Sequence, residues 1–258
     1  MANILKFSNQ IIKQLGLDDN DLSQRNIEHF TETEGPRRDK IVLEYFGEEG
    51  FQTLIEELIL ALDTGDKQVN SIIDLGTGTG TFLLPISQHI NVKHIYGLDL
   101  TPALLEISMQ KFNKLNLSTE TSYIPIIGDM EKVKQSIQIN TTLNQEMSFP
   151  HKFDLIMSSL ALHHIPSTSN VLKSISEIIK SDGKAVIVDA ILSDNSGMIP
   201  QPEHAHDGFD MIELKQLAEE YFKTVQIKEL SVKCHETKTD LRGSGLFLLI
   251  LSDPLIRS

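Results

Sequence analysis

Three groups of residues, each closing a short apolar run, have the types and spacing to hold a nucleoside. The first is Asp74-Leu-Gly-Thr-Gly-Thr-Gly80, where a run beginning at Ser71 enters a turn containing Gly76, Gly78 and Gly80. Glycine is needed where backbone must turn tightly and let a ligand come close. A helix beginning there aims its free N–H groups at the turn. The second group is Ile95-Tyr-Gly-Leu-Asp99, whose acid follows Asp74 by 25 residues. A carboxylate at that place can accept both hydroxyls of a ribose. The third is Gly128-Asp129, after Ser122–Ile127, where an acid can take the amino group of adenine. One glycine-rich turn is a weak signal. Three such elements, all at C-terminal ends of predicted strands, fall where open α/β sheets bind ligands.

These residues, with Phe153-Asp-Leu-Ile-Met-Ser-Ser-Leu-Ala-Leu-His-His164 and Lys180-Ser-Asp-Gly-Lys-Ala-Val-Ile-Val-Asp189, resemble successive motifs of the class I methyltransferases dependent on S-adenosylmethionine (SAM). The resemblance runs in register over about residues 70–192 and is less specific to residue 251. Within the family it is nearest to enzymes that methylate small molecules. It implies that Gly76, Gly78 and Gly80 line the methionine part of SAM, with Asp74 organising the turn. It further implies that Asp99 holds the ribose, Asp129 meets the adenine amino group, and Leu100 and Met130 sandwich the ring. Ser158 would lie near the methionine carboxylate. A dinucleotide-binding oxidoreductase is the main rival. Against it, the glycines run Gly-x-Gly-x-Gly with Thr81 where the last glycine would stand, Asp74 opens the motif, and Gly128-Asp129 adds a third contact.

Methyl transfer from a sulfonium is an in-line displacement, so the acceptor must be aligned, water excluded and, for many acceptors, a proton removed. His163 and His164 follow the fourth strand, beside the expected methyl, and free imidazole titrates near neutrality. His163 is the candidate base. Many family members carry a histidine there whatever their acceptor, so a packing role stays open. His206, in Pro200-Gln-Pro-Glu-His-Ala-His-Asp-Gly208, is the second candidate, on a loop placed to overhang the pocket as a lid. No metal site is expected at His204, His206 and Asp207. Histidines two apart point the same way only in extended chain, and no second ligand cluster is evident. The motif of amino-group DNA methyltransferases and the paired glutamates of arginine methyltransferases are absent. Cys234, on a predicted edge strand, lies far from the site.

The elements that must position these groups are legible as alternation. Short β-rich runs at Ser71–Leu75, His94–Leu98, Ser122–Ile127, Phe153–Ser158 and Lys184–Ala190 alternate with helical patterns at Phe82–His89, Pro102–Asn116 and Val171–Lys180. Val225–Val232 and Leu246–Leu251, with no helix between them, are expected to pair as an antiparallel hairpin at the sheet edge. The expected fold class is α/β: a Rossmann-like seven-stranded, mostly parallel sheet with one antiparallel strand and helices on both faces. Before residue 70 the pattern is helical, with faces at residues 3–15, at Ile41, Val42, Tyr45 and Phe46, and at Phe51 to Leu62. Residues 1–70 are therefore expected to cap a SAM-binding domain of residues 71–258.

Composition narrows the partners. Net charge is −13, and the one tight basic group, Arg37-Arg38-Asp39-Lys40, is too small for a groove-binding stripe and reads as a solvated helix start. That speaks against nucleic acid and leaves a small-molecule acceptor, with oligomeric state open. The longest apolar stretch is six residues, Leu246 to Leu251, against about 20 for a membrane span. With no secretory pattern at the start and one cysteine, the protein is expected in the cytoplasm. Two alternatives remain: methylation of a protein or RNA, and a SAM-binding scaffold without activity.

Overall fold

The computed structural model describes residues 4–65, 67–115, 121–144, 149–192, 203–234 and 245–255. Its centre is a seven-stranded sheet in the order β3-β2-β1-β4-β5-β7-β6. The strands are β1 (Val69–Leu75), β2 (Val92–Asp99), β3 (Ser122–Ile127), β4 (Phe153–Ser159), β5 (Ile179–Ala190), β6 (Phe222–Lys233) and β7 (Gly245–Pro254). β1 to β5 pair in parallel, and β7 runs antiparallel between β5 and β6. The expected hairpin is therefore present, although its turn, Arg242 to Ser244, lies outside the described residues. Strand order reverses beside β1, which has β2 on one side and β4 on the other. At such a switch point the crossing helices leave the sheet on opposite faces and open a crevice. Asp74 stands there, opposite Gly97 of β2 and Met157 of β4.

Helices α4 (Leu83–Ser87), α5 (Pro102–Lys114), α6 (Val133–Leu143), α7 (Thr168–Ile178) and α8 (Met211–Glu219) connect the strands. Asp210 caps α8, accepting from the N–H groups of Ile212 and Glu213 at 2.8 and 2.9 Å. One expected boundary is corrected. The helix expected to reach Lys180 ends at Ile178, and Ile179 and Lys180 open β5. Ile178 and Ile179 are both buried apolar residues, so periodicity cannot separate them, and Ile179 pairs with Phe153 of β4.

The N-terminal part is helical, with α1 (Ser8–Leu15), α2 (Asp21–Glu28), a π-helical turn His29–Glu34 and α3 (Arg38–Leu62). Asn20 caps α2 through Ser23 N–H at 3.0 Å, and α3 bends at Gly47, whose φ is 67°. The apolar face of α3, including Val42, Phe46, Leu54 and Leu58, shares one core with Ile72 and Ile95 of the sheet. Ile11, Leu15 and Leu17 pack instead on Leu105 of α5 and Ile127 of β3. This second contact brings α2 across the carboxyl ends of the strands. Cys234 follows the end of β6 and is buried in the core. Among the described residues no helix is long and apolar enough to cross a membrane.

Candidate functional site

A cavity of about 140 Å³ occupies the crevice. The sheet side supplies Asp74, Gly76, Thr77, Gly78, Asp99, Leu100, Asp129, Met130 and Ser159, and the N-terminal helices supply Asn20, Asn26, Phe30, Arg38 and Val42. The wall is thus made from two parts of the chain more than 30 residues apart, joined by the packing of α1 and α3.

The turn after β1 is held from behind. Gly76 and Thr77 N–H groups donate to the Leu98 carbonyl at 2.8 and 3.0 Å. Gly78 N–H donates to Asp99 Oδ2 at 2.8 Å, while Thr101 N–H donates to Asp99 Oδ1, also at 2.8 Å. Each Asp99 oxygen therefore accepts one backbone bond, and the carboxylate, which the Thr101 side chain also approaches, keeps acceptor capacity for a ligand. On the helical side the Thr79 and Thr81 hydroxyls both donate to Asp39 Oδ1 at 2.7 Å, and Lys111 pairs with Asp39 Oδ2. Although burial works in the other direction, Lys111 and the two hydroxyls hold the Asp39 carboxyl below its usual range. The start of α3 is thereby pinned to the glycine turn.

Four buried polar atoms of wall residues have no hydrogen-bond partner among the described residues: Asp74 Oδ1, Thr77 Oγ1 and Ser159 Oγ on the sheet side and Asn26 Oδ1 on the helical side. Buried polar groups are nearly always paired, so orphans gathered in one cavity mark a place for a ligand. Burial raises the Asp74 carboxyl to about 7; Thr77 beside it pulls downward, and the Asp99 charge adds to the rise. Asp99 is raised too, by burial first, with its backbone donors and Arg38 opposing. Two acids held together in a dry pocket favour a cationic visitor.

Of the cofactor residues expected from sequence, Asp74, Gly76, Gly78, Asp99, Leu100, Asp129 and Met130 lie together on the cavity wall. Gly80 lies behind the turn, where an added Cβ would meet Leu84 at 2.7 Å. Ser158 is also behind the wall, its hydroxyl donating to the Leu75 carbonyl at 2.8 Å. Its neighbour Ser159 faces the cavity instead, as strand alternation requires once Ser158 points away. Asp129 accepts from Glu131 N–H at 2.8 Å and stands 3.7 Å from the Lys132 ammonium.

The histidines divide in the same way. His163 is buried at 2% exposure, its Nδ1–H donating to Asp189 Oδ1 at 2.8 Å. His164 lies on the cavity wall and donates Nδ1–H to the Glu203 carbonyl at 3.1 Å. Burial first, then the neighbouring His163 and His204, keeps the His164 ring well below its usual pKa and hence neutral. His206 is off the wall, with Nε2–H donating to the Ile165 carbonyl at 3.0 Å. The main-chain N–H groups of Ala205 and His206 both donate to the His163 carbonyl. The described part of the expected lid, residues 203–208, is thus stapled to the turn after β4, while Pro200 to Pro202 lie outside the described residues.

Sequence reasoning missed Arg38, whose guanidinium lies 5.4 Å from the Phe30 ring on the cavity wall. One signal was available: Arg38 is four residues before Val42 and seven before Tyr45, which places it on the buried face of α3.

A family model described as "Methyltransferase domain" matches residues 46–232. Over 148 residues the chain is 29% identical to an uncharacterized methyltransferase of Schizosaccharomyces pombe, covering 53% of this chain and 47% of that protein. Over 174 residues it is 29% identical to the malonyl-[acyl-carrier protein] O-methyltransferase of a Marinomonas species, covering 67% and 56%. The chain spans about half the length of these curated relatives. Magnesium protoporphyrin IX methyltransferase of Synechocystis PCC 6803, solved with bound S-adenosylhomocysteine (SAH), superposes with a TM-score of 0.61 at 15% identity, over 90% of this chain and 100% of that one. Phosphoethanolamine N-methyltransferase 2 of Haemonchus contortus superposes with a TM-score of 0.58 at 14% identity, over 89% and 60%. At such identities the structural likeness is one of fold.

Proposed function

The chain belongs to the methyltransferase-domain family, and we propose that it binds SAM at the turn after β1 and passes the methyl group to a small molecule. The observation that carries this reading is the set of unsatisfied polar atoms on the sheet side of the cavity, Asp74 Oδ1, Thr77 Oγ1 and Ser159 Oγ. An amino-acid head group suits them: its ammonium donates to the carboxylate, and its carboxylate accepts from the two hydroxyls. Arg38 adds a cation for that carboxylate. Asp99, with its remaining acceptor capacity, takes the ribose hydroxyls. Asp129 receives the adenine amino group between Leu100 and Met130. Ser158, His163 and His206 act behind the wall as positioning residues: Ser158 ties β4 to β1, and the two histidines hold the segment carrying Glu203.

Bound there, SAM supplies an electrophilic methyl on a sulfonium. The protein aligns the acceptor, closes the crevice with α2 and α3, and keeps water from the methyl. The acceptor's lone pair forms the new bond as the carbon–sulfur pair returns to sulfur, leaving SAH. A small acceptor is supported by the names of two structural neighbours, which specify phosphoethanolamine and magnesium protoporphyrin IX, while the Marinomonas relative's name specifies a malonyl group carried on acyl-carrier protein. The acidic chain has no broad basic face for RNA.

These roles carry two expected outcomes. Arg38→Ala removes a charge-assisted contact and is expected to weaken SAH binding by about tenfold or more, read by calorimetry; equal affinity would remove Arg38 from the cofactor site. The second concerns pH. The cofactor's ammonium selects ionised Asp74, whose carboxyl lies at about 7. Affinity should therefore be full above about pH 7 and fall by up to about tenfold per unit below it. Asp74→Asn should flatten that profile between pH 6 and 8. In the ligand-free protein the sign is opposite. The folded state holds a proton that the unfolded chain releases near pH 4, so stability from this group falls as pH rises from about 4 to 7. Mass spectrometry of small molecules released from the purified protein tests the whole reading. SAM or SAH is expected, and a nicotinamide dinucleotide in their place would overturn it.

A further inference from the structure

Beside the cavity, three histidine rings converge. His163 and His164 occupy the turn after β4 with ring centroids 4.1 Å apart. His204, from the 203–208 segment, stands edge-on to both, at 4.8 Å and 82° from His163 and at 5.0 Å and 75° from His164. One ring nitrogen of each lies within 4.8 Å of those of the other two. We propose that His163, His164 and His204 bind one divalent transition-metal ion of the zinc class beside the cavity, with His164 reaching its wall.

The hydrogen bonds around the rings are those a metal site needs. A ligating histidine presents one nitrogen to the ion and donates the other N–H to a carboxylate or carbonyl, which fixes the tautomer and the ring plane. His163 gives its Nδ1–H to the Asp189 carboxylate, itself fully buried, and His164 gives its Nδ1–H to the Glu203 carbonyl. Both Nε2 lone pairs are thereby left for an ion. The buried Asp189 charge offsets part of the charge of a dication. The segment carrying His204 is fixed to the same turn, because Ala205 and His206 N–H groups donate to the His163 carbonyl. Two nitrogens on a tetrahedral zinc ion are about 3.3 Å apart. The widest pair must therefore close by about 1.5 Å when the ion binds. Imidazole donors suit zinc, cobalt, nickel or copper and not magnesium or calcium, which take oxygen.

Three protein ligands with a further position open is the arrangement of catalytic rather than structural zinc. Of the three, His164 lines the cavity, so an open position on that side would face the space left beside the cofactor, where an acceptor must lie. This consequence rests on the SAM reading. An acceptor hydroxyl or thiol bound to the ion would lose its proton to water, and its lone pair would attack the methyl carbon while the carbon–sulfur pair stays on sulfur.

The test uses the full chain, stripped with a chelator and titrated with Zn²⁺ or Co²⁺ alone. One ion per chain is expected at micromolar affinity or tighter, with a Co²⁺ visible spectrum of nitrogen ligation and no competition from millimolar Mg²⁺. His204→Ala is expected to lower affinity by at least about 100-fold, and Asp189→Asn by about 10–100-fold. His151→Ala, at an exposed site, should change nothing. No saturable binding to the wild-type protein would overturn the proposal, as would equal affinity in folded His204→Ala. SAH titrated into the same stripped sample separates the two readings: SAH binding without metal binding defeats only the metal site, and metal binding without SAH defeats only the cofactor reading.

Discussion

Replacing Gly78 with valine is expected to abolish SAH binding and leave a folded protein. Gly78 has φ of 54° and lies on the cavity wall, and a Cβ built there meets nothing nearer than Leu104 Cδ1 at 4.0 Å. The valine side chain therefore has room in the protein but takes the space in which the ligand meets the backbone. Holding a β-branched residue in the left-handed region costs roughly 1–3 kcal/mol, a melting decrease of about 2–10 °C for a chain this size. The loss of affinity should be on the order of 100-fold or more, above about 2.7 kcal/mol. Gly76 makes the contrast. Its added Cβ would stand 2.4 Å from the Ala161 Cβ, so Gly76→Val is expected to fail in folding first. Calorimetry with circular dichroism distinguishes the two, and normal SAH binding by folded Gly78→Val would mean that the turn is misassigned.

Asp99→Ala carries the next largest effect. Removing the ribose acceptor forfeits charge-assisted hydrogen bonds worth about 1.5–3 kcal/mol each, less whatever solvent restores. It also frees the Gly78 and Thr101 N–H groups that Asp99 now receives. Affinity for SAM should fall by about tenfold or more. Asp99→Asn separates the two contributions. It keeps the shape, but its amide NH₂ faces a backbone N–H in place of an acceptor, so it too should weaken binding. An unchanged dissociation constant in folded Asp99→Ala would show that the ribose is held elsewhere.

Backbone was legible in the sequence, together with the positions that backbone dictates. The glycine turn, Asp99 and Gly128-Asp129 lie at strand ends, and strand alternation with short connections leaves them one shared place, the crevice beside β1. The hairpin of β6 and β7 was readable for the same local reason. The unreadable parts depend on which way a side chain turns. Ser158 and Ser159 are equivalent on paper. In the fold, the first spends its hydroxyl on Leu75 and the second faces the cavity. His163 and His164 differ likewise: Asp189 draws the first ring inward, and that partner lies 26 residues away. Arg38 read as a solvated charge because Arg37 and Lys40 flank it, and only its helical phase with Val42 places it on the wall. The His204 contact with both neighbouring histidines is tertiary, and spacing along the chain carried no sign of it.

Titration calorimetry of the purified chain with SAH and with NADH tests most directly whether this crevice holds SAM. One SAH per chain with micromolar or tighter affinity, weakening below pH 7, and no heat from NADH is the result expected. Saturable NADH binding with no response to SAH would contradict it.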